Sequence, residues 1–150
     1  MIALGVVTLS QHPDQHEQLK ADASLVPGFV EELCRYHTAS AMAIKRTAKV
    51  IKAGQGIIPS NKSANRDGDV FDTPDELNIR RKWPAAKGAL GYGYGGHRCI
   101  AEALSKAELY AMFSNIFDVL PGLRLAAAFD DIDTSPRHKG VGILSLPVTF

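Results

Sequence analysis

The residues best placed to do chemistry lie between Gly88 and Cys99, in the run Leu90-Gly91-Tyr92-Gly93-Tyr94-Gly95-Gly96-His97-Arg98-Cys99. Five glycines, at 88, 91, 93, 95 and 96, leave a backbone able to approach a flat or charged ligand closely. Cys99 stands just before the strongest helical pattern in the chain. Unpaired N–H groups at a helix start stabilise an anionic sulfur, and His97 and Arg98 add donors. A thiolate held this way is a metal ligand or a nucleophile. Three readings compete: a structural cysteine behind a glycine turn, a dinucleotide-binding loop, and axial ligation of a haem iron by Cys99. Gly91, Gly93 and Gly96 satisfy G-x-G-x-x-G, but that motif requires a preceding strand and an acid closing a second strand. The segment Lys82–Lys87 is no strand, and Asp118 falls inside the long helix.

The elements that must position this loop follow from periodicity. Ile2, Val6 and Leu9 read as the end of a helix. Pro13 opens a second, running to about Lys20, with acids in its first turn. Pro27 opens a third, with Phe29, Val30, Leu33 and Cys34 at helical spacing, ending near His37 and Thr38. Ala41–Ile44 and Gly56–Pro59 suggest short strands. Residues 61–90 carry no sustained period and form a long irregular segment of the kind that is usually functional. From about Ile100 to Leu120 a stripe of Leu104, Leu109, Met112, Phe113, Ile116 and Leu120 predicts a core-facing helix, stopped by Pro121-Gly122. Val141, Ile143 and Leu144 predict a strand in the tail.

Composition bounds the rest. The 150 residues are 45% hydrophobic and 22% charged, with net charge +1, which is a globular balance. That balance provides no broad field toward nucleic acid. Two cysteines exclude a disulfide scaffold and fit a reducing compartment. The longest apolar run, Ile2–Leu9, is far short of the roughly 20 residues of a membrane span. His12 and His16, four apart, read as a solvated face rather than a metal pair, Cys34 as a small core residue, and Asp130–Asp133 as a polar loop.

Tyr92–Ala101 resembles the haem-binding loop of the cytochromes P450, F-G-x-G-x-H-x-C-x-G/A. Two further motifs of that family occur in order. Glu32-Leu33-Cys34-Arg35 is similar to its E-x-x-R helix. Ala64-Asn65-Arg66-Asp67, with Phe71, Pro74 and Arg81, is similar to its A-x-R-D…F…P…R segment. Arg35–Ala41, Ile44–Lys49 and His97–Glu102 resemble the fungal nitric oxide reductase branch. The resemblance implies a mainly α (α+β) chain, residues 1–150 forming the C-terminal portion of one P450 domain whose N-terminal half is absent. It implies haem b as cofactor and NADH or NADPH as electron donor, with two NO reduced to N2O and no separate reductase.

By the same resemblance, Cys99 is the axial ligand, and backbone N–H groups near Gly95 and Ala101 tune its sulfur. Tyr92 and Gly93 belong to the haem cradle, and His97 and Arg46 match positions that hold propionates. Lys45 and Arg46 match positive charge presented to the nucleotide, and Ser40 a distal hydroxyl in proton delivery. Glu32, Arg35 and Arg81 match a structural triad. Two other outcomes are implied: a P450 monooxygenase acting on a small organic substrate with redox partners, or a truncated, inactive haem-binding piece. The expected partner is a small molecule, without nucleic acid or membrane span, in the cytoplasm, or in mitochondria for a full-length parent. The chain departs from the pattern at Tyr92, where the family usually has Phe and where an extra hydroxyl needs a partner. It departs too at Ala101 for Gly, in a shortened hairpin after Lys49, and at Gly140, which aligns with a relay acid.

Overall fold

The computed structural model describes residues 1–39, 52, 55–56, 58–83, 88–135 and 142–150. Ser40, Lys45, Arg46 and Gly140, and the strand expected at Ala41–Ile44, lie outside the described residues.

Helix α1 spans Ile2–Gln11 and buries every residue from Leu4 to Leu9. A helix apolar on all sides belongs inside a core. Pro13 forces the break that follows, because the residue before a proline leaves the helical region; His12 sits at φ −127°, ψ 68°. Helix α2, Pro13–Ala21, is polar and buries Leu19 alone. His12 and His16 are not a solvated face. The His12 ring donates from Nδ1 to the Thr8 carbonyl at 2.8 Å, and the His16 ring lies 4.3 Å from that of Phe117. Helix α3, Val26–His37, carries Pro27 in its first turn and ends at Thr38 in the left-handed region, φ 47°, ψ 71°. Thr38 is fully buried, and its hydroxyl donates to the Arg35 carbonyl at 2.7 Å, a local bond that offsets the strained backbone.

The irregular segment expected at 61–90 begins with one helical turn, α4, Asn61–Ala64, capped by the Ser60 hydroxyl. Gly56, Ile58 and Pro59 adopt no regular structure, so the strand expected there is not formed by them. Helix α5, Glu102–Val119, packs Leu109, Phe113 and Ile116 against α3. Phe29 and Phe113 meet edge to face, centroids 5.0 Å apart. The predicted stripe fails at its N-terminal end: Leu104 is 64% exposed. It lies four residues after Ile100, which is also exposed, and both fall outside the contact with α3. The tail forms two antiparallel ribbons. Strand β1, Arg124–Leu125, pairs with β4, Val148–Thr149, and β2, Asp133–Thr134, pairs with β3, Ile143–Ser145, across an irregular register.

The tightest core contact involves a glycine. A Cβ on Gly5 would stand 2.2 Å from Phe113 Cζ, and the Phe113 ring is itself held by Phe29. Overpacking of this kind costs about 1–3 kcal/mol. Gly5→Ala is therefore expected to lower the unfolding free energy by that amount, read as a lower urea midpoint at unchanged slope. Gly68→Ala, where nothing lies within 4 Å, should leave it unchanged. A Gly5→Ala midpoint equal to wild type would show that the ring moves aside freely.

Candidate functional site

Glu32 and Arg35, one turn apart on α3, both have wholly buried side chains. Charges taken out of water need several well-placed partners, and these have them. Arg35 grips the Glu32 carboxylate with Nε at 2.8 Å and Nη2 at 2.7 Å. Arg81 Nε donates to the same carboxylate at 2.9 Å, as does the Asn78 backbone N–H at 2.9 Å. The outward side of Arg35 is spent on carbonyls: Asn65 at 2.8 Å, Pro74 at 2.7 Å and Glu76 at 3.0 Å. Arg81 also donates to the Asp72 and Glu76 carbonyls. The family triad is thus brought together, and a segment with little regular structure is fastened to α3 through its carbonyls. Burial pushes the Glu32 carboxyl up, but the bonds from Arg35 and Arg81 outweigh it and hold its pKa below the usual carboxylate range.

The thiol loop is a separate centre, built by backbone bonds. Leu90–Tyr92 and Gly95–His97 are single 3-10 turns. Gly93, between them, and Gly95, which opens the second, take φ 78° and 76°, values that a side chain would strain. The Gly93 N–H donates to Leu90 O at 3.0 Å, and the Cys99 N–H to Tyr92 O at 2.9 Å. Cys99 emerges exposed, three residues ahead of α5 rather than at its first turn. His97 and Ala101 are also exposed.

Tyr92 points its hydroxyl inward, 3.0 Å from Ser105 Oγ, and accepts from the Cys34 thiol at 3.6 Å. The hydroxyl that departs from the family pattern therefore has two partners. Burial pushes the Tyr92 hydroxyl up to about 12 and the Cys34 thiol upward. Gly91 lets the loop touch α3 here, since a Cβ would stand 2.9 Å from Cys34 O. On the outer side Arg98 is paired with Glu102, with Nη2 to Oε1 at 2.6 Å. Lys106 bridges Glu102 at 2.8 Å and Glu31. The hydrogen bond from Arg98 leads in drawing Glu102 down to about 2.

The sequence reading missed Asn65. It is fully buried and stands between the two centres, with Leu90 N–H donating to its Oδ1 at 2.7 Å. Its signal was its place inside the Ala64–Asp67 motif. A cleft of about 520 Å3 lies beside it, lined by Asn65, Asp67, Phe71, Leu90, Tyr94 and Arg98 among others.

Around Cys99, Tyr94, Ile100 and Leu104 leave an apolar face open, and Cβ directions at Gly93, Gly95 and Gly96 meet nothing within 4 Å. An exposed thiol beside glycines and exposed apolar side chains would suit a haem, with Cys99 as the residue that would hold its iron. Among the described residues no group of three or more His, Cys, Asp or Glu could hold a metal ion directly, and no helix is long and apolar enough to cross a membrane.

No family profile matches the chain. Its whole length aligns with cytochrome P450 55A3 of Fusarium lichenicola at 58% identity. It aligns likewise with cytochrome P450 105A3 of Streptomyces carbophilus at 41%, and with the vitamin D3 dihydroxylase of Streptomyces griseolus at 40%. The chain spans 38% of the length of each of these curated relatives, at their C-terminal end. Among solved structures, cytochrome P450 MoxA from Nonomuraea recticatena superposes with a TM-score of 0.88 at 37% identity, covering 100% of this chain and 38% of that one.

The buried cluster generates a prediction. Glu32→Gln strips the anion from two buried guanidinium groups and should cost about 3–5 kcal/mol in denaturant unfolding. Because the folded pKa is depressed, the stabilisation is complete above the ordinary value of 4.5 and is lost as pH falls toward the folded one. The wild-type unfolding free energy should decline across that acid window, and Glu32→Gln should flatten the decline. Parallel wild-type and variant pH profiles would contradict the assignment.

Proposed function

Since the chain belongs to the cytochrome P450 superfamily, we propose that it carries the thiolate-bearing part of a haem–thiolate oxidoreductase of the nitric oxide reductase type. The observation that carries the reading is the exposed Cys99 on its glycine loop within an open apolar face. The fungal branch is supported by 58% identity to the Fusarium lichenicola P450 against 41% to the Streptomyces carbophilus one, together with the branch-like runs at Arg35–Ala41 and His97–Glu102.

The proposed cofactor is haem b, which would supply, when bound, an iron able to pass electrons to a small ligand. This chain's residues set the conditions. Cys99 donates sulfur charge from below, and the loop glycines allow the backbone to lie close to the ring. His97 and Arg46 are proposed to hold the propionates. Lys45 and Arg46 are proposed to attract NADH or NADPH, and Ser40 to hand on a proton. The substrate proposed is NO, with N2O as product. The proposed compartment is the cytoplasm, in keeping with two free thiols, Cys34 and Cys99. We further propose that the chain is part of one P450 domain and that the remaining length seen in relatives supplies the distal wall. The second reading, a monooxygenase with redox partners, is favoured by the 40% identity to the vitamin D3 dihydroxylase.

Haemin titrated into the chain, then reduced under CO, should give the red-shifted Soret band of thiolate-ligated haem, and Cys99→Ala should abolish it. Absence of uptake, or an unchanged band in Cys99→Ala, would overturn the ligation. To separate the two reactions, the chain is grafted in place of the matching segment of the Fusarium lichenicola relative. The chimera should consume NADH anaerobically with NO and without any added protein. A chimera that binds haem but oxidises NADH only with a ferredoxin system present would favour the monooxygenase.

A further inference from the structure

Asn65 has no assigned role, yet each of its polar groups reaches a different part of the fold. Its backbone N–H donates to Asn61 O at 2.9 Å inside α4. Its carbonyl accepts from Arg35 Nη1 at 2.8 Å. Its side-chain Nδ2 donates to Thr38 Oγ1 at 2.9 Å, and its Oδ1 accepts from Leu90 N–H at 2.7 Å. The amide orientation is forced, because Leu90 N–H is solely a donor and must meet the oxygen. The nitrogen then faces Thr38, whose own proton is committed to the Arg35 carbonyl. Asn65 is fully buried, so water cannot replace a lost partner.

The bond to Leu90 sits at the head of the thiol loop. Leu90 O fixes Gly93 N–H, and Tyr92 O, inside the same turn, fixes Cys99 N–H. A displacement of Leu90 therefore passes through two backbone bonds to the sulfur-bearing residue. The other end of the path is Arg35, locked on Glu32. We propose that Asn65 is the positioning residue of Cys99: it transmits the rigid placement of the Glu32–Arg35 pair to the loop and fixes the height and direction at which the thiol is presented. This rests on the haem–thiolate reading for its purpose, but not for its test.

In the chain without haem, Asn65→Ala should raise amide hydrogen exchange at Leu90 and Cys99 about tenfold, the scale of one lost buried hydrogen bond. Gly5→Ala, which overpacks the core at Phe113 and meets no residue of this path, should leave both amides at wild-type rates. In the haemin-loaded chain, Asn65→Ala should move part of the ferrous–CO Soret band to the shorter wavelength of haem without a thiolate ligand, and Gly5→Ala should not. Unchanged exchange at Cys99 in Asn65→Ala, or equal changes in Gly5→Ala, would overturn the proposal. If Asn65→Ala fails to fold, Thr38→Val, which removes the partner of Nδ2 together with the hydroxyl's bond to the Arg35 carbonyl, should give a smaller rise at the same two amides; no rise there would overturn it. If no variant or wild-type chain takes up haemin, the functional reading falls, while the exchange data still decide the role of Asn65.

Discussion

The rest of the structure depends on where the Glu32 carboxylate can go. It lies at the centre of the helical core with no exposed surface, and an isolated carboxylate there would be prohibitively unfavourable. Arg35 alone satisfies it in two places but brings a second buried charge with donors left over. Those donors demand oxygens, and the chain supplies them as backbone carbonyls of Asn65, Pro74 and Glu76. A stretch poor in helix and strand is thereby given a fixed course. Arg81 closes the arrangement from the far end of that stretch. The ion pair is not chiefly a source of net stability, since a buried pair can be replaced by apolar groups at little cost. Its effect is specificity: few other courses of residues 65–81 would satisfy every donor.

The thiol loop shows the complementary solution. It has no buried charge and little side-chain bulk, and its shape is set by glycines at positive φ and by short backbone bonds. Such a loop has little rigidity of its own, because glycine-rich backbone loses much entropy on ordering. Rigidity has to arrive from neighbours. Gly91 closes onto Cys34, Tyr92 inserts its hydroxyl between Cys34 and Ser105, and Asn65 takes the Leu90 N–H. Through these three contacts a glycine-rich stretch is referred to α3 and α5, which pack against each other through Phe29 and Phe113. The same contacts explain why Tyr is accommodated at position 92: its polar end finds partners on the core side, while the apolar face around Cys99 stays free of hydroxyl groups from that residue.

Much of this was legible in the residues. Helical period and proline placement located α1, α2, α3 and α5 to within a residue or two, because each rule acts over one turn. The ordered motifs pointed to Glu32, Arg35 and Arg81 and to the cysteine loop. What the sequence hid was non-local. Leu104 fits the apolar stripe by period, yet period cannot say where along a helix the partner ends. Strands β1 and β2 are two residues each and exist through distant pairing, which leaves no alternation to read. His12 and His16 looked solvated because the contacts that cover them, to Thr8 O and Phe117, come from turns and helices whose packing the spacing does not state. Asn65 was hidden for the same reason: three of its four partners lie more than twenty positions away.

The two centres also divide the physical requirements of thiolate chemistry. A sulfur that must keep one position relative to a flat ring needs a support that does not relax, and a buried, fully satisfied ion cluster provides that because any local opening leaves a charge without partners. In the proposed reading a haem would need close approach and apolar surroundings, and the loop glycines and the exposed Ile100 and Leu104 are suited to that. One buried amide joins the cluster to the loop, its carbonyl on Arg35 and its side-chain oxygen on the Leu90 N–H. Asn65 carries no charge, so it transmits position from the cluster to the loop without transmitting field.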